Sequence, residues 1–124
     1  MASNRGKNVC PTSWHIPTDA EWTTLTTYLG GESVAGGKLK ETGLTHWITP
    51  NTGATNETGF TALPGGYRGG YGTYGSIGYD GYWWSSTLYS SLAWLRNMHY
   101  VYTNVLRNYY NKHYGFSVRC LRDF

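Results

Sequence analysis

Along residues 22–29 the apolar positions are Trp22, Leu25 and Leu29, an i, i+3, i+7 spacing separated mostly by threonines, which is the narrow stripe of an amphipathic helix. Thr18 followed three residues later by Glu21 is a capping box: the hydroxyl takes the amide of Glu21, and the carboxylate reaches back to the cap amide. A helix is predicted to start there and to stop at Gly30-Gly31, which supplies a residue free to take positive φ. Residues 32–40 spell a second, shorter helix through Val34, Ala35 and Leu39, weakened by Gly36-Gly37, since a helical glycine costs about 1 kcal/mol against alanine.

From residue 41 to 81 the apolar words are short and Gly, Thr, Asn and Pro dominate, so this stretch reads as long ordered loops. Trp47, Phe60, Tyr67, Tyr71, Tyr74, Tyr79 and Tyr82 are expected to pin them, with Gly alternating against Tyr in tight turns that tuck rings onto a core. Residues 82–86, 93–100 and 116–121 carry strand-type sequence, the last with Phe116, Val118 and Cys120 alternating against Ser117, Arg119 and Leu121. Helices, then loops, then strands predict an α+β fold in one domain spanning residues 1–124, with 1–6 as a flexible or added start. On alternating strand faces, one of Trp83 and Trp84 could floor a binding surface; the plainer reading puts both rings in the core.

Composition then narrows the function. Charged residues are only 14 % of the chain, whereas Gly, Thr, Ser, Asn and Tyr keep the surface polar without ionisation, a weak pointer to a secreted protein. The net charge of +3 is dispersed along the sequence, so nucleic-acid binding is not indicated. No long apolar run predicts a membrane span or a signal-peptide core. Cys10 and Cys120 stand near opposite ends: either they bridge, or they are two buried thiols.

Residues 88–114 have another character. Asn97-Met98-His99-Tyr100-Val101-Tyr102-Thr103-Asn104 and Asn108-Tyr109-Tyr110-Asn111-Lys112-His113-Tyr114 keep neither a helical nor a strand period for long. Tyrosine gives large, stiff, amphipathic contact area at low entropic cost, and Asn and Ser give adaptable hydrogen bonding, as in antibody paratopes. The expectation is a non-enzymatic recognition surface held between two fixed anchors.

Those anchors carry a resemblance. At Val9-Cys10-Pro11, His15-Ile16-Pro17-Thr18-Asp19-Ala20-Glu21-Trp22, Tyr82-Trp83-Trp84-Ser85-Ser86-Thr87 and Gly115-Phe116-Ser117-Val118-Arg119-Cys120, the chain resembles the Fibrobacter succinogenes major paralogous domain, over about residues 7–123. The resemblance implies a C-type-lectin-like fold with adjacent termini joined by a small antiparallel sheet, which supports a Cys10–Cys120 bridge. It also implies an extracellular or cell-surface setting in Bacteroidetes or Fibrobacter, as part of a longer secreted, lipid-anchored or phage-associated protein. Some such domains are variable proteins of diversity-generating retroelements, in which adenines of a template are copied with errors into the last part of the gene. On that pattern Leu92, Leu95, Asn97, His99, Val101, Tyr102, Leu106, Asn108, Tyr109, Tyr110, His113 and Tyr114 are the diversified, ligand-binding positions. Met98 departs from it, because its codon cannot arise from AAY by adenine changes alone.

The remaining chemistry is thin. The calcium-dependent sugar words of C-type lectins are absent, and Asp19, Asp80 and Asp123 are far apart in sequence. Two cysteines at structural positions leave no oxidative pair of the formylglycine-generating type. His15, His46, His99 and His113 show no metal spacing, so no cofactor or metal is expected. His15 reads as a packed or capping residue. Ser85-Ser86-Thr87 has no His and acid nearby in sequence, and no catalytic residue is expected. Arg96, Arg107, Arg119 and Arg122 could meet an anionic ligand, although paired or stacked structural roles are the plainer reading. The expected partner is a protein or another surface ligand, without direct membrane insertion. The alternatives are a carbohydrate-binding module stacking sugars on exposed Trp and Tyr, and a structural domain of a surface or fimbrial assembly.

Overall fold

The structure is a computed structural model and describes residues 9–124; the expected flexible start at 1–6 lies outside the described residues. Its elements are β1 (Trp14–His15), α1 (Asp19–Tyr28), α2 (Glu32–Leu39), β2 (Tyr67–Arg68), β3 (Tyr74–Gly75), β4 (Asp80–Tyr89), β5 (Leu92–His99), β6 (Leu106–Asn111) and β7 (Leu121–Arg122). The mixed α+β class expected from the sequence is observed.

α1 starts as its capping box dictates. The Glu21 amide donates to Thr18 Oγ1 at 3.1 Å and the Thr18 amide to Glu21 Oε1 at 2.9 Å. It ends in a Schellman arrangement, with Gly31 N–H donating to Thr26 O and Gly30 N–H to Thr27 O while Gly30 takes φ of 104°. Trp22 and Leu29 of the predicted stripe are buried, and Leu25 packs partly against them. Full burial of a ring such as Trp22 is worth roughly 2–3 kcal/mol.

α2 forms despite Gly36-Gly37, because the glycines serve packing. A Cβ on Gly36 would overlap the carbonyl oxygen of Asn104, and one on Gly37 would overlap that of Gly53. The bare backbone there lets Gly37 N–H reach Thr103 O at 3.0 Å.

Three antiparallel strands, in the order β4-β5-β6, make the main sheet; β1 pairs with β7 and β2 with β3 in separate two-stranded sheets. Trp14 opposite Arg122 and His15 opposite Leu121 bring the chain ends together, and Cys10 and Cys120 are bonded across a separation of 110 residues. β6 falls within the Tyr-rich filling, where the sequence showed no strand period. Conversely, residues 116–121 do not form the expected strand: they make one isolated bridge, Trp83 to Ser117, before β7. Edge pairing supplied by β5 holds β6 straight; little apolar alternation is needed for that.

Trp83 and Trp84 point to opposite faces of β4, and both are buried. Trp83 joins Trp22, Leu39, Trp47, Met98 and Val105 in the larger core between the sheet and the helices. Trp84 sits with Ala93 and Leu95 in a smaller core covered by Tyr82, Tyr114, Phe116 and Val118. Neither indole is a surface floor, so the two-core reading holds. Of the rings expected to pin residues 41–81, Trp47 is buried and donates Nε1–H to Ala62 O, whereas Tyr71 and Tyr74 project into solvent from the β2–β3 hairpin. From the same hairpin Tyr67 does tuck inward, meeting Tyr82 edge-on at 6.0 Å.

Candidate recognition surface

Strand alternation divides the Tyr-rich segment between the two faces of the main sheet. On one face the register aligns Trp84, Leu95 and Asn108, then Tyr82, Asn97 and Leu106, with Ala93 opposite Tyr110. Here Leu95 and Asn97 from β5 and Leu106, Asn108 and Tyr110 from β6 line a cavity of about 290 Å³. Its other wall is aromatic, formed by Tyr67, Tyr82, Tyr114 and Phe116. Tyr82 and Phe116 stack at 4.9 Å, and Tyr110 meets Tyr114 edge-on at 4.5 Å.

The twelve expected contact positions therefore separate by place. Leu95, Asn97, Leu106, Asn108, Tyr110 and Tyr114 line the cavity; of these, Leu95 at 2 % and Asn97 at 9 % exposure form its floor. His113 lies in an adjoining depression of about 360 Å³ with Asn111, Gly70 and Tyr71. Val101 and Tyr102 are exposed on the β5–β6 turn, where the His99 ring stacks on Tyr102 at 5.0 Å. Leu92 and Tyr109 belong to the opposite face. There Tyr109 contacts Tyr89 at 4.5 Å and Trp94 at 5.2 Å, over a patch closed by the Arg107 guanidinium 3.6 Å above the Trp94 ring.

Sequence reasoning missed three lining rings as contact groups. Tyr82 and Phe116 stand in the fixed words that frame the segment, and Tyr67 comes from the Gly-Tyr run. The signal for Phe116 was its alternation with Ser117 in the expected strand, which assigned it to neither face.

The floor is tied down by polar bonds. Asn97 Nδ2–H groups face Gly81 O at 3.0 Å, Asp80 Oδ1 at 3.2 Å and Met98 O at 3.3 Å, which fixes the amide orientation and leaves Oδ1 as its open acceptor. Burial, then the charge of Asp80, push the Tyr82 hydroxyl up to about 12, so this side of the sheet disfavours negative charge. Met98, the departure from the adenine pattern, is fully buried in the larger core.

The turn beside the cavity is held from below by Lys40, itself fully buried. Its Nζ donates to Thr52 O at 3.0 Å, His99 O at 3.1 Å and Tyr102 O at 3.0 Å, and lies 5.3 Å from the Trp47 ring centroid. Burial pulls this ammonium down to about 8.

Three of the four candidate arginines, Arg96, Arg107 and Arg119, have structural partners. Arg96 is buried and bonds Asp19 Oδ1 at 2.6 Å, Asp19 O at 3.2 Å and Thr23 Oγ1 at 3.1 Å. Arg107 closes on the same carboxylate through Nε and Nη2, the latter at 2.7 Å. Arg119 lies 4.1 Å over the Phe60 ring. The Ser85-Ser86-Thr87 word is a clip for α1: Ser86 N–H donates to Pro17 O, and Thr87 Oγ1 accepts from the Asp19 amide at 2.9 Å. His15 bonds Asp123 at 2.6 Å and Glu21 at 3.0 Å, a bridge between both chain ends and the α1 cap.

Among the described residues, no group of three or more His, Cys, Asp or Glu is placed to hold a metal ion, and no helix is long and apolar enough to cross a membrane. The sequence profile of the Fibrobacter succinogenes major domain matches residues 1–122. No curated protein matches the chain, and no solved structure does.

Proposed function

The chain belongs to the Fibrobacter succinogenes major domain family, and from that premise we propose that it is a non-enzymatic recognition domain whose Tyr- and Asn-rich face binds a protein ligand. The observation that carries this reading is the convergence of Leu95, Asn97, Leu106, Asn108, Tyr110 and Tyr114 on one concave surface. Aromatic anchors there exclude water, and amide groups satisfy polar atoms of the ligand. The paired termini and the end-to-end disulfide support a C-type-lectin-like topology. The disulfide also suits an oxidising, extracellular or cell-surface location. Diversification of the segment by a retroelement is part of the same proposal.

A carbohydrate platform would present coplanar rings. Exposed Tyr110 and half-buried Tyr114 are inclined at 65°, and Tyr89 and Trp94 at 43°, which favours a protein ligand over a stacked sugar.

The test uses exposed positions only, because Leu95 contributes to the small core. Replacing Val101, Tyr102, Leu106, Asn108 and Tyr110 together with Ser should leave cooperative unfolding intact, since exposed substitutions typically cost within about 0.5 kcal/mol each. A phage-displayed library randomised at the same positions should yield clones binding lysozyme and streptavidin separately. Collapse of the five-site variant would favour a structural role, and a folded library without binders would refute the recognition reading.

A further inference from the structure

The geometry points to the cavity as a cage for an alkylammonium group, occupied by a lysine side chain of a partner protein. This deepens the recognition reading and rests on it. At about 290 Å³ the cavity is at or below the low end of small-molecule sites, enough for a single long side chain arriving with a larger surface.

Its chemistry selects a cation. None of the nine lining residues is charged at neutral pH, and five of them, Tyr67, Tyr82, Tyr110, Tyr114 and Phe116, present aromatic rings. Ring faces attract an ammonium through their quadrupoles, most strongly where water is displaced. At the floor the Asn97 amide donates to the Asp80 carboxylate, which polarises it and makes its open Oδ1 a better acceptor. An amide acceptor at the floor suits a compact ammonium, whereas a guanidinium is matched best by the fork of a carboxylate, which the lining lacks. The raised Tyr82 hydroxyl fits the same bias against anions. Leu95 and Leu106 supply apolar lining for the methylene stem.

The experiment titrates the folded domain with matched probes by saturation-transfer NMR and aromatic chemical shifts. Nα-acetyl-lysine methylamide should bind at least about fivefold more tightly than its norleucine counterpart, the discrimination expected of a partly desolvated cation–π site. Equal binding of the two would overturn the cation inference while leaving the cavity as a contact point, so the recognition reading would stand or fall separately on the five-site variant. Choline, compared with neutral 3,3-dimethylbutanol, reports the charge preference without a peptide. Choline binding tenfold more tightly than the lysine probe would overturn lysine as the occupant in favour of a free quaternary ammonium. Tyr110 is 44 % exposed, and Tyr110→Ala should lose lysine binding at least tenfold without unfolding. Tyr110→Leu, which keeps apolar bulk but removes the π face, should lose the preference for lysine over norleucine. Retention of that preference in both variants would refute the cage.

Discussion

Removing the Asp19 carboxylate should be among the most damaging single changes to this fold. Among the described residues Asp19 is the only carboxylate bonded to Arg96, whose side chain is fully buried and whose Nε already lacks a partner. Two unit charges about 4 Å apart at an effective dielectric constant of 20 attract by roughly 4 kcal/mol, and stranding one buried member of such a pair costs about 3–5 kcal/mol. Loss of a negative charge at the α1 N-terminus adds about 0.3–1 kcal/mol. Asp19→Ala should therefore lower the unfolding free energy by about 3–5 kcal/mol in guanidinium titrations with an unchanged slope. Adding Arg96→Met to Asp19→Ala should recover part of that loss, because it removes the stranded charge. Arg107 is 40 % exposed at the side chain, so Arg107→Gln should cost only about 0–1 kcal/mol and become negligible in 1 M salt. Acid reports the same network. Burial alone would raise the Asp19 carboxyl, but hydrogen bonds from Arg107 and Arg96, reinforced by their charges, hold it below the usual carboxylate range. Its contribution is thus present above the ordinary carboxylate pKa and is lost as pH falls through the lowered value. An Asp19→Ala variant within about 1 kcal/mol of the parent, or further destabilised by Arg96→Met, would refute the reasoning.

Three further outcomes are expected. The Asp123 and then the Glu21 hydrogen bond raise the His15 pKa, so its contribution is complete below the unfolded value near 6.5 and lost as pH rises through the raised one; the thermal midpoint should gain more between pH 8 and pH 6 in the parent than in His15→Asn. Thr18→Ala should cost about 1 kcal/mol through loss of the cap, read as a shifted denaturation midpoint; an unchanged midpoint would contradict the capping box. Reducing the Cys10–Cys120 bond should cost up to about 4–5 kcal/mol, because it closes a loop of nearly the whole chain; identical denaturation curves with and without reductant would contradict that.

Local rules made α1 readable from end to end: the cap, the stripe and the Gly-Gly stop are all interactions within a few residues. α2 was harder to read because its glycines answer to Asn104 and Gly53, distant backbone invisible in a short window. β6 was invisible for a related reason. Leu106, Arg107, Asn108, Tyr109, Tyr110 and Asn111 are all exposed edge residues, and their strand conformation comes from the hydrogen-bonding row of β5. The candidate residues stood out as a class by composition, and six of them line one cavity. Their division between two faces depends on register, which a sequence without period cannot set. Arg96 and Lys40, among the most deeply buried polar side chains, carried no sequence signal, since nothing local distinguishes a buried cation from a surface one.

The anchoring of residues 99–105 has a consequence for how this turn can change. Lys40 holds the carbonyls of His99 and Tyr102, Thr52 N–H holds that of Tyr100, and Gly37 N–H holds that of Thr103. In the other direction the Tyr100 and Val105 amides donate to Tyr79 O and Glu32 O. Each of these bonds uses a main-chain atom of the turn: the carbonyls are offered by every residue, and the two amides by every residue except proline. The shape of the turn is therefore specified largely by residues outside it, helped by the His99 ring, which accepts from the Val101 amide at 3.2 Å; the side chains at positions 101 and 102 supply none of these bonds. Protein engineers seek that separation of geometry from identity when they choose where to graft a foreign loop.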